Sequence, residues 1–184
     1  MKFKIFISII FALIAFAGWF FGGDRNTDKI TASQEQKTSS ISTISPASAQ
    51  TKKYENIKYG FSFNYPTDFI LGEFPEDESG VSLIIQNVKT NQVVQIYITP
   101  YDDPDFAVSA ERVKRDIPDM SFSNSANAVV GGRAKGVAFF SENEAFGGPT
   151  AEVWFADGKL FFQATASAKD AKMLEEIIKS WEFR

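Results

Sequence analysis

The stretch 59–66 reads Tyr-Gly-Phe-Ser-Phe-Asn-Tyr-Pro, with an aromatic residue at every second position up to the proline. Successive side chains of a β-strand point to opposite faces, so this alternation predicts a strand with all its rings on one side. Proline has no backbone N–H to donate, and Pro66 therefore ends the predicted strand. A face made of rings must pack against another layer, so the stretch indicates a sheet inside a folded domain.

Further strands follow on the C-terminal side. Residues 89–92, the pair Gly131-Gly132 and the pair Asp157-Gly158 each separate two β-rich runs, and such short polar or glycine-containing connections predict hairpins. The predicted strands are Phe69–Phe74, Val81–Val88, Val93–Thr99, Ala128–Val130, Ala134–Phe140, Ala151–Phe155 and Lys159–Ala166.

One helix is predicted between these strands. Asp103 is placed to cap it, Pro104 suits its first position, and Pro118 ends it. Its predicted apolar face has the spacing i, i+4, i+7 and i+11 and consists of Phe106, Ala110, Val113 and Ile117.

A second helix is predicted to start at Ser167, with Asp170 completing a capping box and Glu175 pairing with Lys179. Its predicted apolar face holds Met173, Leu174, Ile177, Ile178 and Trp181. Strands, helix, strands and helix in this order predict an α+β domain, an antiparallel sheet with helices packed on it.

The N-terminus predicts a membrane anchor. Residues 1–4 contain Lys2 and Lys4, which the positive-inside rule places in the cytoplasm, and residues 5–21 form an uncharged apolar run long enough to span a bilayer. An alternative is a cleaved signal peptide, because Ala15-Phe16-Ala17 matches a cleavage site. The first interpretation predicts a single-pass cell-membrane protein with its C-terminal part outside the cytoplasm, and the second a secreted or periplasmic one.

Residues 22–50 contain no aromatic residue and ten Ser or Thr, which predicts a disordered linker. Residues 51–184 then form the predicted extracytoplasmic domain. This domain carries 14 basic and 20 acidic residues, a net charge of −6. Nucleic acid is a poor partner for an acidic domain, because binding requires Lys and Arg to displace counterions from phosphates.

The chain has no Cys and no His. This composition excludes Ser-His-Asp and Cys-His catalysis, disulfides and cysteine-ligated metals. It does not exclude a site made of carboxylates. Asp102, Asp103 and Asp105 are the densest acidic group, and they could hold Ca²⁺, although a helix N-terminus explains them as well.

Two aromatic residues are candidate contacts for a protein partner. Trp154 shares one face of its predicted strand with Glu152, while Val153 and Phe155 share the other. Trp154 is therefore either an exposed anchor for a partner or, if a helix covers that face, part of the core. Tyr101, at a predicted strand-to-helix turn, is the second candidate.

The sequence resembles the PsbP-like domain family in three places. Gly60–Pro66, read Gly-Phe-Ser-Phe-Asn-Tyr-Pro, resembles the first strand of that family; Val130–Ala134 resembles a hairpin; and Ile177–Phe183 resembles the terminal helix and final short strand. The resemblance implies an α/β/α sandwich around a central antiparallel sheet. It also implies a protein that binds rather than catalyses. Some members of the family bind divalent cations, partly through His, which this chain lacks. Apart from the Ca²⁺ considered above, no cofactor is predicted.

These observations predict a non-catalytic, membrane-anchored accessory domain that serves or assembles a complex in or near the membrane. One alternative is a small-ligand or Ca²⁺-binding module. A more remote alternative is a carboxylate-based hydrolase of cell-wall polymers, which would need two carboxylates facing each other across a cleft.

Overall fold

The structure, a computed structural model, describes residues 50–76, 80–103 and 107–184. The predicted membrane segment, 5–21, lies outside these ranges, as does the predicted linker apart from its last residue. No helix among the described residues is long and apolar enough to cross a membrane.

The described residues form two antiparallel sheets and two α-helices. The large sheet has seven strands in the order β3-β4-β5-β9-β8-β7-β6, and the small one has three, in the order β1-β2-β10. The strands are β1 Thr51–Asn56, β2 Phe61–Pro66, β3 Ile70–Pro75, β4 Val81–Asn87, β5 Gln92–Pro100, β6 Phe122–Val130, β7 Ala134–Asn143, β8 Gly148–Asp157, β9 Leu160–Ser167 and β10 Glu182–Phe183; the helices are α1 Ala110–Asp116 and α2 Ala171–Lys179.

An aromatic cluster joins the small sheet and α2 to one face of the large sheet. Trp181, just after α2, stacks on Phe61 of β2 with ring centroids 4.7 Å apart. The same indole meets Phe155 of β8 edge-on at 5.2 Å and Phe162 of β9 at 5.5 Å. Trp181 is 3 % exposed, and Phe61, Phe155 and Phe162 are fully buried. The rings that alternate along the opening stretch therefore form the centre of the main core.

Helix α1 lies against the opposite face of the large sheet. Val113 of α1 belongs to a second buried cluster that includes Val137, Phe139, Trp154 and Phe161 from β7, β8 and β9. The predicted central antiparallel sheet is thus confirmed, with one helix contributing to each face. The small sheet that shares the α2 side was not predicted.

Several local predictions hold. The hairpins at residues 89–92 and at Asp157-Gly158 are present, and Gly131 and Gly132 both have positive φ in the turn between β6 and β7. Glu175 and Lys179 form the predicted ion pair at 2.5 Å. The final short strand that the family resemblance implied is β10.

Other local predictions were wrong. The strand β1 and the first six residues of β6 were missed, because their sequences are polar and lack clear alternation. Helix α1 begins at Ala110 and is capped by Ser109, whose hydroxyl accepts from the backbone N–H of Arg112, rather than by Asp103. Helix α2 begins at Ala171 after a short 3-10 helix, and Asp170 makes no capping hydrogen bond.

Gly136 of β7 offers a test of the packing between β7 and β8. A Cβ at this position would lie 2.6 Å from the Cβ of Phe155 and would also overlap the backbone oxygen of Trp154. Neither group is the free end of a flexible side chain, so the strands must separate. We expect Gly136→Ala to lower the free energy of unfolding by ~1–3 kcal/mol, measured by urea denaturation.

Gly72→Ala is the matched control, because the atoms nearest to a Cβ there belong to the ring of Phe74, at 2.9 Å, and that exposed ring can turn away. Equal unfolding midpoints for the two variants would contradict the packing described here.

Candidate functional site

A buried carboxylate lies on the α1 side of the large sheet. Glu152 occupies the middle of β8 and is 3 % exposed. It shares its face with Trp154, as the alternation along β8 predicted, because Val153 and Phe155 belong to the core on the other side. Charged side chains are rarely buried to this extent unless hydrogen-bonded partners surround them.

Four side chains from three strands donate hydrogen bonds to Glu152. Its Oε1 accepts from the hydroxyl of Thr150 at 2.7 Å and from that of Ser141 at 3.2 Å. Its Oε2 accepts from the hydroxyl of Thr165 at 2.6 Å and from the indole N–H of Trp154 at 3.2 Å. Both carboxylate oxygens are thus fully used, and we call these five residues the Glu152 group.

Burial raises the pKa of Glu152, and the four hydrogen bonds oppose that rise without cancelling it. The hydroxyls can also accept, so the group accommodates either protonation state of the carboxyl. Chemically, the arrangement can hold a proton inside the protein. As folded, the carboxyl is enclosed, which suits a structural or proton-linked role better than contact with a substrate.

Sequence reasoning singled out Glu152 only as a marker of the strand face. The available signal was one acidic residue within a strand whose other central positions are small or apolar. The donors could not be assigned from the sequence, because Ser141 and Thr165 lie on neighbouring strands and their register had to be known.

Trp154 belongs to the core. The indole is 6 % exposed and packs edge-on against Phe139 and Phe161, with centroid distances of 5.1 and 6.0 Å. Of the two interpretations from the sequence, coverage by a helix is the one observed. Tyr101 is half-buried and stacks on Phe161 at 5.6 Å, and its contact with a partner stays a prediction.

The space beneath α1 is a small cavity of about 40 Å³ next to Trp154. Organic ligands occupy pockets of roughly 300–1,000 Å³, so this cavity is no small-molecule site. Its lining is mostly apolar and comprises Tyr101, Val108, Arg112, Val113, Asp116, Trp154 and Phe161.

An ion-pair network fastens α1 in place. Arg112 forms ion pairs with Asp103, in the preceding segment, and with Asp116, at the end of the helix. Hydrogen bonding to Asp103 raises the pKa of Arg112 further above its ordinary value. All three side chains are largely buried, at 13–14 % exposure.

The predicted Ca²⁺ group is therefore placed as follows. The Asp103 carboxylate binds Arg112, Asp102 is exposed, and Asp105 lies outside the described residues. Within the described ranges, no group of three or more carboxylates is arranged to hold a metal ion. Ca²⁺ binding by the three aspartates stays a prediction.

An open groove of about 510 Å³ runs between α1 and the segment 118–122. Its acidic residues are Glu111 and Asp119. Hydrogen bonds from its own backbone N–H and from Ser109 lower the pKa of the exposed Glu111. A glycosidase needs a general acid with a raised pKa, so Glu111 has the opposite property.

The second candidate site is the part of the α1-side sheet face that α1 does not cover. Cross-strand pairing places Gly72, Ile84, Gln95, Thr165 and Glu152 in one row. Along this row the side chains change from half-buried at β3, β4 and β5 to buried at β9 and β8. Helix α1 thus shields only one half of this face.

We call the uncovered half the open face. Ile70 and Phe74 on its outer strand are 60 % and 52 % exposed, and most of its other side chains are half-buried. By register it contains no charged residue. It consists of Ile70, Gly72 and Phe74 of β3, Ser82, Ile84 and Gln86 of β4, Val93, Gln95 and Tyr97 of β5, and Gln163 of β9.

The raised pKa of Glu152 predicts a pH-dependent contribution to stability. A carboxyl whose pKa is higher in the folded than in the unfolded state stabilises the fold below its unfolded pKa, and this contribution is lost as the pH rises through the folded pKa. Glu152→Gln imitates the neutral carboxyl. We therefore expect the stability of the variant relative to the native chain to increase as the pH is raised from 4 to 8, measured by thermal unfolding.

Comparing the Glu152→Gln variant with the native chain removes the pH effects of other carboxyls. One of these is Glu182, whose pKa is lowered by the hydrogen bond from Lys53. A constant difference between the two melting temperatures across the pH range would contradict the expectation.

Comparison with known proteins identifies the fold. No family model matches the sequence, and no curated protein matches it. The solution structure of cyanobacterial PsbP (CyanoP) from Synechocystis sp. PCC 6803 is similar, with a TM-score of 0.54 and 10 % identity over 79 % of this chain and 98 % of that one. A crystal structure from Bacteroides thetaiotaomicron VPI-5482 aligns with a TM-score of 0.47 and 19 % identity over 73 % of this chain and 49 % of that one. The similarity to CyanoP shows a PsbP-like fold, which confirms the fold implied by the resemblance of Gly60–Pro66.

Proposed function

We propose that this chain is a non-catalytic accessory protein whose domain binds a membrane-associated protein complex through the open face. The proposal includes the anchor predicted for residues 5–21, which would hold the domain outside the cytoplasm. The observation that carries it is the absence of charge on the open face of an otherwise highly charged domain.

Composition makes the open face unusual. Residues 51–184 number 134 and include 34 charged ones, about a quarter, so a random set of ten positions would include two or three. The exposed side of an antiparallel sheet is normally polar. Here apolar side chains alternate with Gln and Ser instead, and the core of protein interfaces shows the same depletion of charge.

The chemistry of the open face limits its partner. A charged group buried against it would lose its hydration without gaining an opposite charge, which is costly. The Gln amides and the Tyr97 hydroxyl can donate and accept hydrogen bonds, while Ile70, Ile84 and Phe74 offer apolar contact. The open face therefore suits an uncharged, largely apolar protein surface with some polar side chains.

The fold supports a binding role in a second way. The buried carboxylate of Glu152 is enclosed, and the open face holds no acidic or basic residue for proton transfer. The implied role of the PsbP-like resemblance, binding rather than catalysis, is consistent with both features.

The test is capture of the tagged, full-length protein from solubilised membranes after crosslinking in cells. Phe74→Asp places a charge on the open face, and Val88→Asp places the same charge on an exposed residue of the β4–β5 turn, 67 % exposed. We expect native protein and Val88→Asp to capture the same membrane complex, with crosslinks to β3–β5. The Phe74→Asp variant should capture at least tenfold less of the partner. Circular dichroism should show that this variant remains folded.

Equal capture by both variants would remove the open face from the proposal. Failure of the native protein to capture any membrane complex reproducibly would remove the accessory role itself. Peptides covering residues 5–21 in the same mass spectra would show whether the predicted anchor is retained.

A further inference from the structure

The strand β6 is an exposed edge of the large sheet. Within the described part of the chain it pairs only with β7, so the outer backbone groups of β6 have no partner strand. Natural sheets protect such edges with charges, prolines, short strands or covering segments, because an unprotected edge readily pairs with another strand.

The two edges of the large sheet differ in this protection. At the other edge, β3 has six residues and carries Glu73 and Pro75. In contrast, β6 has nine residues, Phe-Ser-Asn-Ser-Ala-Asn-Ala-Val-Val, with no charge and no proline. Its protection is one irregularity between Ser123 and Ala126, where Asn124 has a positive φ, and regular pairing with β7 continues from Ala126 to Val130.

Opposite charges flank the two ends of β6. Asp119 precedes the strand, and Glu142 and Glu144 lie at the same end, because Ser141 pairs with Phe122. Lys114 and Glu111 of the nearby α1 offset each other.

The far end of β6 is basic. Arg133 lies in the turn after β6, and Lys135 is opposite Val129. Arg133 is paired with Asp157, but its side chain is still 51 % exposed. Lys159 lies in the neighbouring β8–β9 turn and is exposed as well. Nine residues of strand separate the acidic and basic ends by ~30 Å.

We propose that β6 pairs antiparallel with β6 of a second copy of this chain. A two-fold axis perpendicular to the sheets would pass beside the middle of the strand and join the two large sheets into one. Antiparallel pairing brings the acidic end of each copy against the basic end of the other, at both ends of the contact. The central residues add no repulsion, because none is charged.

This inference is independent of the open face. The open face lies on β3, β4 and β5 with one residue of β9, whereas the proposed contact uses the opposite edge of the same sheet. Dimerisation would therefore leave the open faces of both copies accessible, and each copy could bind its own partner.

The natural absence of Cys allows a clean test. Single Cys residues are introduced at each position from Ser125 to Val129 of the full-length chain, and isolated membranes are oxidised with copper phenanthroline. In a symmetric pair only the residue beside the axis faces its own counterpart, with Cα atoms ~4.5–5.5 Å apart, within disulfide range. Its neighbours are out of register with their counterparts and too far apart.

We expect a disulfide-linked dimer at one position of the scan and little at the positions on either side. Val88→Cys is the control, because Val88 and Val129 are equally exposed, at 67 %. The proposal is overturned if no position gives a dimer, if all positions including Val88 react alike, or if β6 crosslinks to a different protein.

Charge reversal supplies a second readout. Lys135→Glu should lower the yield of the disulfide dimer at the reactive position, and more so at low than at high ionic strength, because it reverses a charge at the basic end that antiparallel pairing brings towards the acidic end of the other copy. Unchanged crosslinking in Lys135→Glu would contradict the proposed orientation even if a dimer forms.

Discussion

The packing of the domain depends on the indole of Trp181. This side chain follows α2 and lies between Phe61 of the small sheet and Phe155 and Phe162 of the large sheet. Aromatic pairs in stacked and edge-on geometry contribute beyond the area that they bury. One side chain thus connects α2, the small sheet and the large sheet, and the main core lies on this face of the large sheet. The other face then has only the short helix α1, which leaves half of it open.

The parts of the fold that could be predicted are those with a local cause. The strand with alternating rings at residues 59–65 and the turn at Asp157-Gly158 are each determined by a few neighbouring residues, and both were predicted from the sequence. The polar strand β1 was missed because pairing with β2, rather than its own pattern, makes it a strand. The start of α1 was misplaced because Asp103, a good capping residue by type, is bound by Arg112 instead.

The candidate sites were harder to predict for the same reason. The two faces of β8 were correctly assigned, but the burial of Glu152 depends on hydroxyls from β7 and β9 that only the sheet register brings together. The open face is likewise a property of four strands. No single strand in it is unusual, and the absence of charge becomes visible only when β3, β4, β5 and β9 are placed side by side. Both surfaces of interest, the open face and the edge β6, are thus consequences of strand order.

The hydrogen bonds of the Glu152 group also determine which strand alignment is possible. The strands β7, β8 and β9 carry apolar residues on both faces, so the alternation of polar and apolar side chains alone specifies their register weakly. Shifting β8 by one residue moves every side chain to the other face of the sheet. The carboxylate would then enter the aromatic core beside Phe162 of β9. Thr150 and Trp154 would move with it, but its donors on the neighbouring strands, Ser141 and Thr165, would stay on the original face. A sheet with β8 out of register would therefore be less stable, because the Glu152 carboxylate would be buried without the donors of the neighbouring strands. In this way Glu152 favours the correct register.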